Sequence, residues 1–220
     1  MLPTRKLKNA KSQQNRPIEL LEVKRKSNEN QDSKTVLIIG VFHGDETEGE
    51  YLINRYLKTE EKEPKNQLLI IPCLNPDGKE LKTRQNSNKV DLNRNFPTKN
   101  WVLSDDKDYF GGSAPESELE TRFLTEILSK YKIDCIFSLH SPYKVVNFDG
   151  PGEEIAKKIA ELTGYPVQAD IGYPTPGSFG TYAGIERQIP TITLELPDDE
   201  TFEALWKENK ESFGYFANEF

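Results

Sequence analysis

The sequence predicts an α/β protein in which a mixed, partly parallel twisted sheet is sandwiched between helices. Five short runs rich in Leu or β-branched residues lie between polar turns, and several are apolar on both faces, as buried strands are. Segments with helical periodicity separate most of these runs, which favours a sheet that is at least partly parallel. Because a chain of 220 residues can bury one sizeable core, we expect a single domain over residues 17–220.

The predicted elements follow one another as β, β, α, β, a long loop, α, β, α, β, α. We expect strands at 18–24, 35–42, 67–73, 133–140 and 191–196. We expect helices at 46–58, 115–131, 153–163 and 200–216. Ser113 and Glu116 suggest a capping box for the second helix, and Gly164 and Pro166 indicate the end of the third.

Residues 1–16 are polar, and their basic side chains have no aromatic residues between them, so we predict a solvated tail. The first residues also lack the apolar segment of a secretory signal, which makes the cytoplasm the expected location. A formal net charge of -7 argues against a nucleic-acid partner. No apolar run approaches the ~20 residues needed to cross a bilayer, so we expect no membrane span.

The two cysteines, Cys73 and Cys135, each lie inside an apolar run. A thiol in such a run is more often a small core side chain than a metal ligand or a disulfide partner. We therefore expect both cysteines to be structural.

The segment between Leu74 and Ala114 is rich in Gly, Pro, Asn and Asp and has no clear periodicity. Loops of this length inside a compact domain are usually functional or disordered. Apolar residues recur along this one, which lets it pack onto the body of the domain. We interpret it as an ordered wall of a site, with these packing residues: Val90, Leu92, Phe96, Pro97, Trp101, Tyr109 and Phe110.

The chain has two histidines, and each follows an apolar run that is predicted to be a strand. His43 is followed by Glu46 at the start of the next helix, and His140 reaches the same rim of the sheet, where open α/β folds bind ligands. Two imidazoles and one carboxylate give zinc three of its four positions and leave the fourth for water, as in catalytic sites. Taken singly, the residues also fit a strand-end histidine and a first-turn acid favoured by the helix dipole, and a lone HxxE carries little information.

Six motifs occur in the order of a known family: HGDE at 43–46, NPDG at 75–78, TRQN at 83–86, VDLNRNFP at 90–97, SLHS at 138–141 and TLELP at 193–197. In this arrangement the chain resembles the zinc carboxypeptidase family over roughly residues 18–215. The segment GYPTPGSFGTYAG at 172–184 and the TLELP motif look most like the bacterial murein peptide amidases of that family. Those enzymes hydrolyse the bond between γ-D-glutamate and meso-diaminopimelate in cell-wall peptides.

The resemblance implies a zinc-carboxypeptidase-like fold and one zinc ion per chain, held by His43, Glu46 and His140. It implies that Asp91 accepts a hydrogen bond from the other ring nitrogen of the first histidine, which fixes the tautomer. It makes Glu195 the general base that takes a proton from water beside the metal. Glu195 lies in an apolar run, and burying an acid there is costly unless it has a function or a partner.

The same resemblance gives roles in substrate binding. Arg84 corresponds to the arginine that stabilises the oxyanion, and Asn93 and Arg94 correspond to the pair that binds a substrate carboxylate. Tyr173 is the expected mobile active-site tyrosine, with Tyr182 as the competing candidate. Other expected features are the specificity-pocket residues Phe179 and Thr181 and a cis peptide bond between Ser141 and Pro142.

Several functions are consistent with these residues. The first is a zinc amidase that releases meso-diaminopimelate from L-Ala-γ-D-Glu-meso-diaminopimelate. The second is a carboxypeptidase that removes C-terminal residues from L-peptides, and the third is an aspartoacylase-like deacylase of N-acyl amino acids. A non-catalytic module that binds peptides is a further alternative, although every residue that the catalytic roles require is present.

Overall fold

In the computed structural model, which describes residues 1–25 and 33–220, eight strands form one mixed sheet. In chain order the strands are β1 Thr4–Lys11, β2 Pro17–Val23, β3 Thr35–Ile39, β4 Gln67–Ile71, β5 Cys135–His140, β6 Val145–Asp149, β7 Val167–Gln168 and β8 Thr191–Glu195. The helices are α1 Glu48–Thr59, α2 Pro76–Leu81, α3 Leu119–Lys130, α4 Glu153–Thr163 and α5 Phe202–Asn218.

The sheet has the strand order β1-β2-β4-β3-β5-β8-β6-β7. The four central strands β4, β3, β5 and β8 are parallel, so their carboxyl ends meet at one edge. Strands β1 and β2 extend the sheet antiparallel on one side, and β6 pairs antiparallel with β8 on the other. The mixed, partly parallel sheet between helices is therefore confirmed.

Each face of the sheet carries its own apolar cluster, because alternate residues of a strand point to opposite sides. On one face Ile38 and Phe137 pack with residues of α1, α4 and α5. On the other face Leu37 and Ile136 pack with residues of α3 and of the long loop. The central strands are apolar on both faces because both faces are covered. In the described part of the chain, no helix is long and apolar enough to cross a membrane.

Residues 1–16 are not a solvated tail, because β1 occupies half of this segment. The strand pairs with β2 through a turn in which Asn15 adopts a φ of 62°. Leu7 and Ala10 pack against the core, and the basic side chains of Lys6 and Lys8 pair with Glu19 and Glu126. The lysines that suggested a tail therefore belong to an amphipathic edge strand, a position where lysine also discourages pairing with other chains.

The helix predicted at 115–131 begins only at Leu119, and the capping box of Ser113 and Glu116 does not form. Glu116 has a φ of 60°, which is incompatible with a helix. The long loop fixes this conformation: the carbonyl oxygen of Asn95 accepts from Glu116 N–H at 2.6 Å, and Asn95 Oδ1 accepts from Glu118 N–H at 3.2 Å. Contacts with the loop thus override the local preference for a helix.

Cys135 is buried in the core and Cys73 is half-buried, and both are free thiols. Burial raises the pKa of the Cys73 thiol to about 12, so it stays protonated and unreactive near neutral pH. Both cysteines fit the expected structural role.

Candidate metal centre

Three polar side chains lie at the carboxyl ends of adjacent parallel strands. His140 is the last residue of β5 and is in register with Glu195, the last residue of β8. His43 follows β3 on the other side of β5, and Val41 precedes it with a φ of 53°. That conformation is rare for a β-branched residue, and such strain is often found at functional sites.

Two glycine-containing motifs hold the loop that carries His43. A Cβ on Gly44 would lie 1.9 Å from the carbonyl carbon of Gly78, so the backbones of HGDE and NPDG are in direct contact. Asn75 accepts from Gly78 N–H at 2.9 Å and donates to the carbonyl of Phe42 at 3.2 Å. Gly44 N–H donates to the carbonyl of Arg84 at 3.2 Å. The NPDG turn therefore positions both His43 and Arg84.

His43, Glu46 and His140 form a buried group whose potential ligand atoms all lie within 4.8 Å of one another. Glu46 Oε1 lies 2.6 Å from Nδ1 of His43, and Glu46 Oε2 lies 2.9 Å from Nδ1 of His140. Both imidazoles thus present the same ring nitrogen to one carboxylate. Two nitrogens and a carboxylate converging in this way fit the donor set of a catalytic zinc.

The other ring nitrogen of His43 faces Asp91, which is fully buried. Nε2 of His43 lies 3.2 Å from Asp91 Oδ1. Arg84 binds the second oxygen of the same carboxylate, donating from Nε at 3.1 Å and from Nη2 at 3.0 Å. Its Nη1 lies 3.7 Å from Glu46 Oε1. Arg84 therefore lies beside the candidate metal ligands, and Asp91 positions its guanidinium.

The electrostatics of the cluster favour a bound cation. Burial alone would lower the pKa of His43, but the carboxylates of Glu46 and Asp91 outweigh burial and raise it to about 9. Burial opposes ionisation of Glu46 as well, yet the two histidines hold its pKa well below the usual range. Two buried carboxylates therefore hold a proton on His43 where a divalent metal could replace it.

Glu195 is 8% exposed, and among the residues described its Oε2 is a buried oxygen with no hydrogen-bond partner. Burial raises the pKa of this carboxyl. A buried, unpaired oxygen is costly to a fold. Glu195 lies beside the His43–Glu46–His140 group. In a metal site at this group, a metal-bound water could donate the hydrogen bond that Glu195 Oε2 lacks.

Arg94 and Asn93 lie in the short helical turn that follows Asp91. Arg94 is 4% exposed, and its Nη1 donates to the Asn93 carbonyl at 2.7 Å. The Arg94 guanidinium lies 5.4 Å from the centre of the Tyr109 ring and 6.0 Å from that of Tyr173. Arg94, Tyr109 and Tyr173 line a cavity of about 500 Å³. The arrangement places a planar cation at the wall of a space large enough for a peptide end.

Tyr173, rather than Tyr182, faces the cleft. Burial, and then Tyr143, raise the pKa of Tyr173 to about 12, so its hydroxyl stays protonated. Tyr182 is buried in the core, where its ring lies 3.3 Å from the Arg187 guanidinium and 5.4 Å from Phe96. The cis peptide bond expected between Ser141 and Pro142 is confirmed.

The positions of Phe179 and Thr181 do not support the predicted roles of their side chains. The Phe179 ring is 2% exposed and packs at 5.2 Å from Phe42 and 5.0 Å from Phe96. Thr181 is buried, and its hydroxyl accepts from Ser178 Oγ at 3.0 Å. These residues belong to the apolar layer beneath the cleft, although Phe179 N–H positions Asn93 by donating to its Oδ1 at 2.8 Å.

A smaller cavity of about 120 Å³ lies next to Glu195 and contains residues that the motifs do not include. Asn147 and Asp149 come from β6 and line this cavity with Tyr173 and with Thr193 of the TLELP motif. The sequence contains one signal for them, the alternation of apolar and polar residues in VVNFD at 145–149. That run is too short to be distinguished from a loop without its pairing to β8.

Comparison with known proteins agrees with this geometry. Residues 3–155 match the profile of the Peptidase_M14 family, described as zinc carboxypeptidase. The chain belongs to the zinc carboxypeptidase family. It is 34% identical over 172 residues to murein peptide amidase A of Vibrio campbellii (strain ATCC BAA-1116), covering 73% of this chain and 68% of the relative. Murein peptide amidase A of Escherichia coli (strain K12) is 31% identical over 180 residues, with 76% and 73% covered.

Solved structures of zinc carboxypeptidases share the fold. The crystal structure of murein-tripeptide amidase MpaA from Escherichia coli O157 superposes with a TM-score of 0.81 at 25% identity, covering 99% of this chain and 93% of that one. Carboxypeptidase A from Helicoverpa armigera gives a TM-score of 0.76 at 19% identity, with 98% and 68% covered, which shows the fold alone. As a member of the zinc carboxypeptidase family with these relatives, the chain is a zinc-dependent hydrolase of peptide bonds.

Proposed function

We propose that the protein is a zinc amidase that hydrolyses the bond between γ-D-glutamate and meso-diaminopimelate in murein peptides and releases meso-diaminopimelate. The observation that carries the proposal is the convergence of His43, Glu46 and His140 next to the unpaired carboxylate of Glu195. The similarity to two murein peptide amidases supports the choice of substrate. The same proposal has one zinc per chain and a cytoplasmic location.

His43, Glu46 and His140 would hold the zinc, which, when bound, lowers the pKa of a water and polarises the scissile carbonyl. Glu195 takes a proton from the attacking water and transfers it to the leaving amine as the carbon–nitrogen bond breaks. The products are a γ-carboxylate and a free amine, so the atoms of one water are divided between them. The raised pKa of Glu195 suits both accepting and donating this proton.

Two arginines have different tasks in this mechanism. Arg84, fixed by two hydrogen bonds to Asp91, offers its charge to the oxyanion that develops on the scissile carbonyl. Arg94, together with Asn93, binds the carboxylate next to the new amine and so aligns the peptide. Tyr173 closes over the same space from the loop before Gly177.

The test is hydrolysis by the zinc-loaded protein of L-Ala-γ-D-Glu-meso-diaminopimelate, its lysine analogue and an ordinary L-tripeptide, with products identified by mass spectrometry. The expected result is cleavage after γ-D-glutamate and no release from the L-tripeptide. Cleavage of the L-tripeptide alone would overturn the amidase assignment and make the protein a conventional carboxypeptidase.

Glu195→Gln is the matched variant, because it keeps the shape of the side chain and removes the base. We expect loss of at least about 100-fold in kcat with zinc content unchanged. Glu154→Gln, at an exposed position on α4, serves as the control and should retain activity. Equal activity in wild type and Glu195→Gln would remove Glu195 as the general base.

A further inference from the structure

The aromatic ring of Tyr109 contacts both arginines of the cleft. The centre of the ring lies 5.5 Å from the Arg84 guanidinium and 5.4 Å from the Arg94 guanidinium. A guanidinium at such a distance is attracted by the negative face of the ring. The ring of Tyr173 lies farther from Arg94, at 6.0 Å. Tyr109 belongs to none of the six motifs, so this double contact is a feature that the motifs do not show.

Motif residues hold the backbone on both sides of Tyr109. Gln85, in the TRQN motif, donates from Nε2 to the carbonyl of Asp108 at 3.1 Å. Asp91, in the VDLNRNFP motif, donates from its N–H to the carbonyl of Phe110 at 2.8 Å. The residues immediately before and after Tyr109 are therefore bound by the two motifs that also supply the arginines.

The turn that follows Tyr109 approaches Arg94 closely. The carbonyl of Gly111 accepts from Asn95 Nδ2 at 2.7 Å. A Cβ on Gly111 would lie 2.4 Å from the carbonyl oxygen of Arg94, so the approach requires a glycine. Although Tyr109 is 40% exposed, backbone contacts on both sides thus fix the place of its ring.

The two arginines differ in what else holds them. Arg84 donates two hydrogen bonds to the buried carboxylate of Asp91. Within the described part of the chain, the Arg94 guanidinium donates one hydrogen bond, from Nη1 to the carbonyl of Asn93 at 2.7 Å. Two charge-assisted hydrogen bonds are stronger than a cation–π contact at a partly exposed site, so Asp91 dominates the position of Arg84. Arg94 has a single neutral acceptor, and the contact with the Tyr109 ring is of comparable strength.

We infer that Tyr109 is a positioning residue that orients Arg94 toward the carboxylate of the residue to be released. The inference rests on the proposed function, in which Arg94 binds that carboxylate. Tyr109 and Arg94 line the same cavity of about 500 Å³, so the ring keeps the guanidinium directed into the space where the carboxylate binds. Loss of the ring weakens binding of the carboxylate and leaves proton transfer at Glu195 in place.

The experiment compares two peptides with the zinc-loaded full chain. One is L-Ala-γ-D-Glu-meso-diaminopimelate, and the other is the same peptide with a carboxamide in place of the carboxylate beside the scissile nitrogen. Only the acid offers a negative charge to Arg94, so the ratio of kcat/KM for the acid to that for the amide measures how well Arg94 is used. We expect a ratio of about 10 or more in wild type. This ratio is insensitive to differences in folding or zinc content between variants.

Tyr109→Leu removes the ring and keeps an apolar side chain. It should lower the ratio by about threefold to 30-fold, with a higher KM for the acid and kcat changed by less than about twofold. Tyr109→Phe keeps the ring and should keep the ratio. Leu103→Ala is the matched control, because Leu103 is an exposed residue of the same segment that does not line the cavity, and it should also keep the ratio.

Three results in the variants would overturn the inference: an unchanged ratio in Tyr109→Leu, an equal loss for both peptides, or a loss in Tyr109→Phe as large as that in Tyr109→Leu. Equal hydrolysis of the acid and the amide by wild type would overturn it as well.

Failure of the proposed function gives a different result. If no γ-D-glutamyl peptide is cleaved but an L-tripeptide is, the acid and amide forms of the L-tripeptide provide the comparison, and a ratio that depends on the Tyr109 ring upholds the inference. If neither series is cleaved by the zinc-loaded protein, both proposals fall.

Discussion

Nε2 of His43 lies 3.2 Å from Oδ1 of Asp91, and this contact decides which ring nitrogen of His43 faces Glu46 and His140. Asp91 is fully buried, and although burial opposes its ionisation, His43 and Arg84 hold its pKa below the usual range. An ionised carboxylate can only accept a hydrogen bond, so Nε2 must carry the hydrogen. Nδ1 is thereby directed to Glu46 and is the atom left to bind a metal.

Replacing Asp91 with Asn should weaken zinc binding by about 10-fold to 100-fold, the usual loss when a carboxylate behind a metal-binding histidine is removed. The amide no longer enforces the tautomer of His43, and Arg84 loses an anionic partner. Competition with a chromogenic chelator measures the affinity. Asp45→Asn, an exposed acid two positions from His43, is the control; if both variants bind zinc as wild type does, Asp91 does not act through His43.

Zinc should stabilise the fold through the three proposed ligands. At a free zinc concentration of 100 times Kd, the free energy of unfolding should rise by about 2.7 kcal/mol. Glu195→Gln should keep this gain, because Glu195 is proposed to act on water and not to bind the metal. His140→Ala should lose most of the gain. Urea unfolding with and without zinc compares each variant with its own metal-free form. An undiminished rise in the free energy of unfolding in His140→Ala would exclude His140 as a ligand.

Glu120 predicts a dependence of stability on pH that is separate from the metal site. It is fully buried, and burial together with Glu118 raises its pKa from 4.5 to about 7, while one oxygen has no partner in the described part of the chain. The folded state therefore holds this proton more tightly than the unfolded state does, and the free energy of unfolding falls as pH rises from about 4.5 to about 7. The loss is on the order of 3 kcal/mol.

Glu120→Gln should therefore stabilise the metal-free protein at pH 8 and have a much smaller effect at pH 5, as measured by urea unfolding. Asn86, which donates to Glu120 Oε2 at 3.4 Å, can make the same contact with the amide oxygen. Glu161→Gln, at an exposed position, should show the same small effect at both pH values. A Glu120→Gln variant that is no more stable than wild type at pH 8 would show that Glu120 is ionised without penalty.

Phe179→Ala distinguishes a core ring from a ring in the specificity pocket. Because the ring is buried between Phe42 and Phe96, its removal should lower the free energy of unfolding by about 3–5 kcal/mol. Phe179→Leu should recover much of the stability and leave the order of preference among L-Ala-γ-D-Glu-meso-diaminopimelate, its lysine analogue and the L-tripeptide unchanged. A changed preference in a stably folded Phe179→Leu variant would restore the sequence-based prediction that this side chain contacts substrate.

Local sequence was sufficient for the elements that are buried on both faces. The run that ends at His140 could be assigned to a central strand because it is apolar throughout, and β5 is buried along its whole length. The helix Glu153–Thr163 was predicted with its observed ends because Gly164, with a φ of 76°, stops it. The convergence of His43, Glu46 and His140 followed from placing strand ends at one edge of a parallel sheet.

The remaining features depend on pairing between distant segments. β1 is rich in lysine and becomes a strand only because β2 pairs with it. The start of α3 is delayed by hydrogen bonds from Asn95, which no local pattern shows. Asp149 enters the cleft because β6 pairs with β8 in a register that places it on the same face as Glu195. The family motifs stop short of this residue, so its place in the cavity beside Glu195 could not be predicted from them.

One metal ion is proposed to bind between His43, Glu46 and His140. The most direct measurement is anomalous diffraction above and below the zinc absorption edge, recorded from crystals of the zinc-loaded protein. We expect one strong peak in the difference map, within bonding distance of Nδ1 of both histidines and of the Glu46 carboxylate. A peak at another group of residues, or none at this position in zinc-replete crystals, would contradict it.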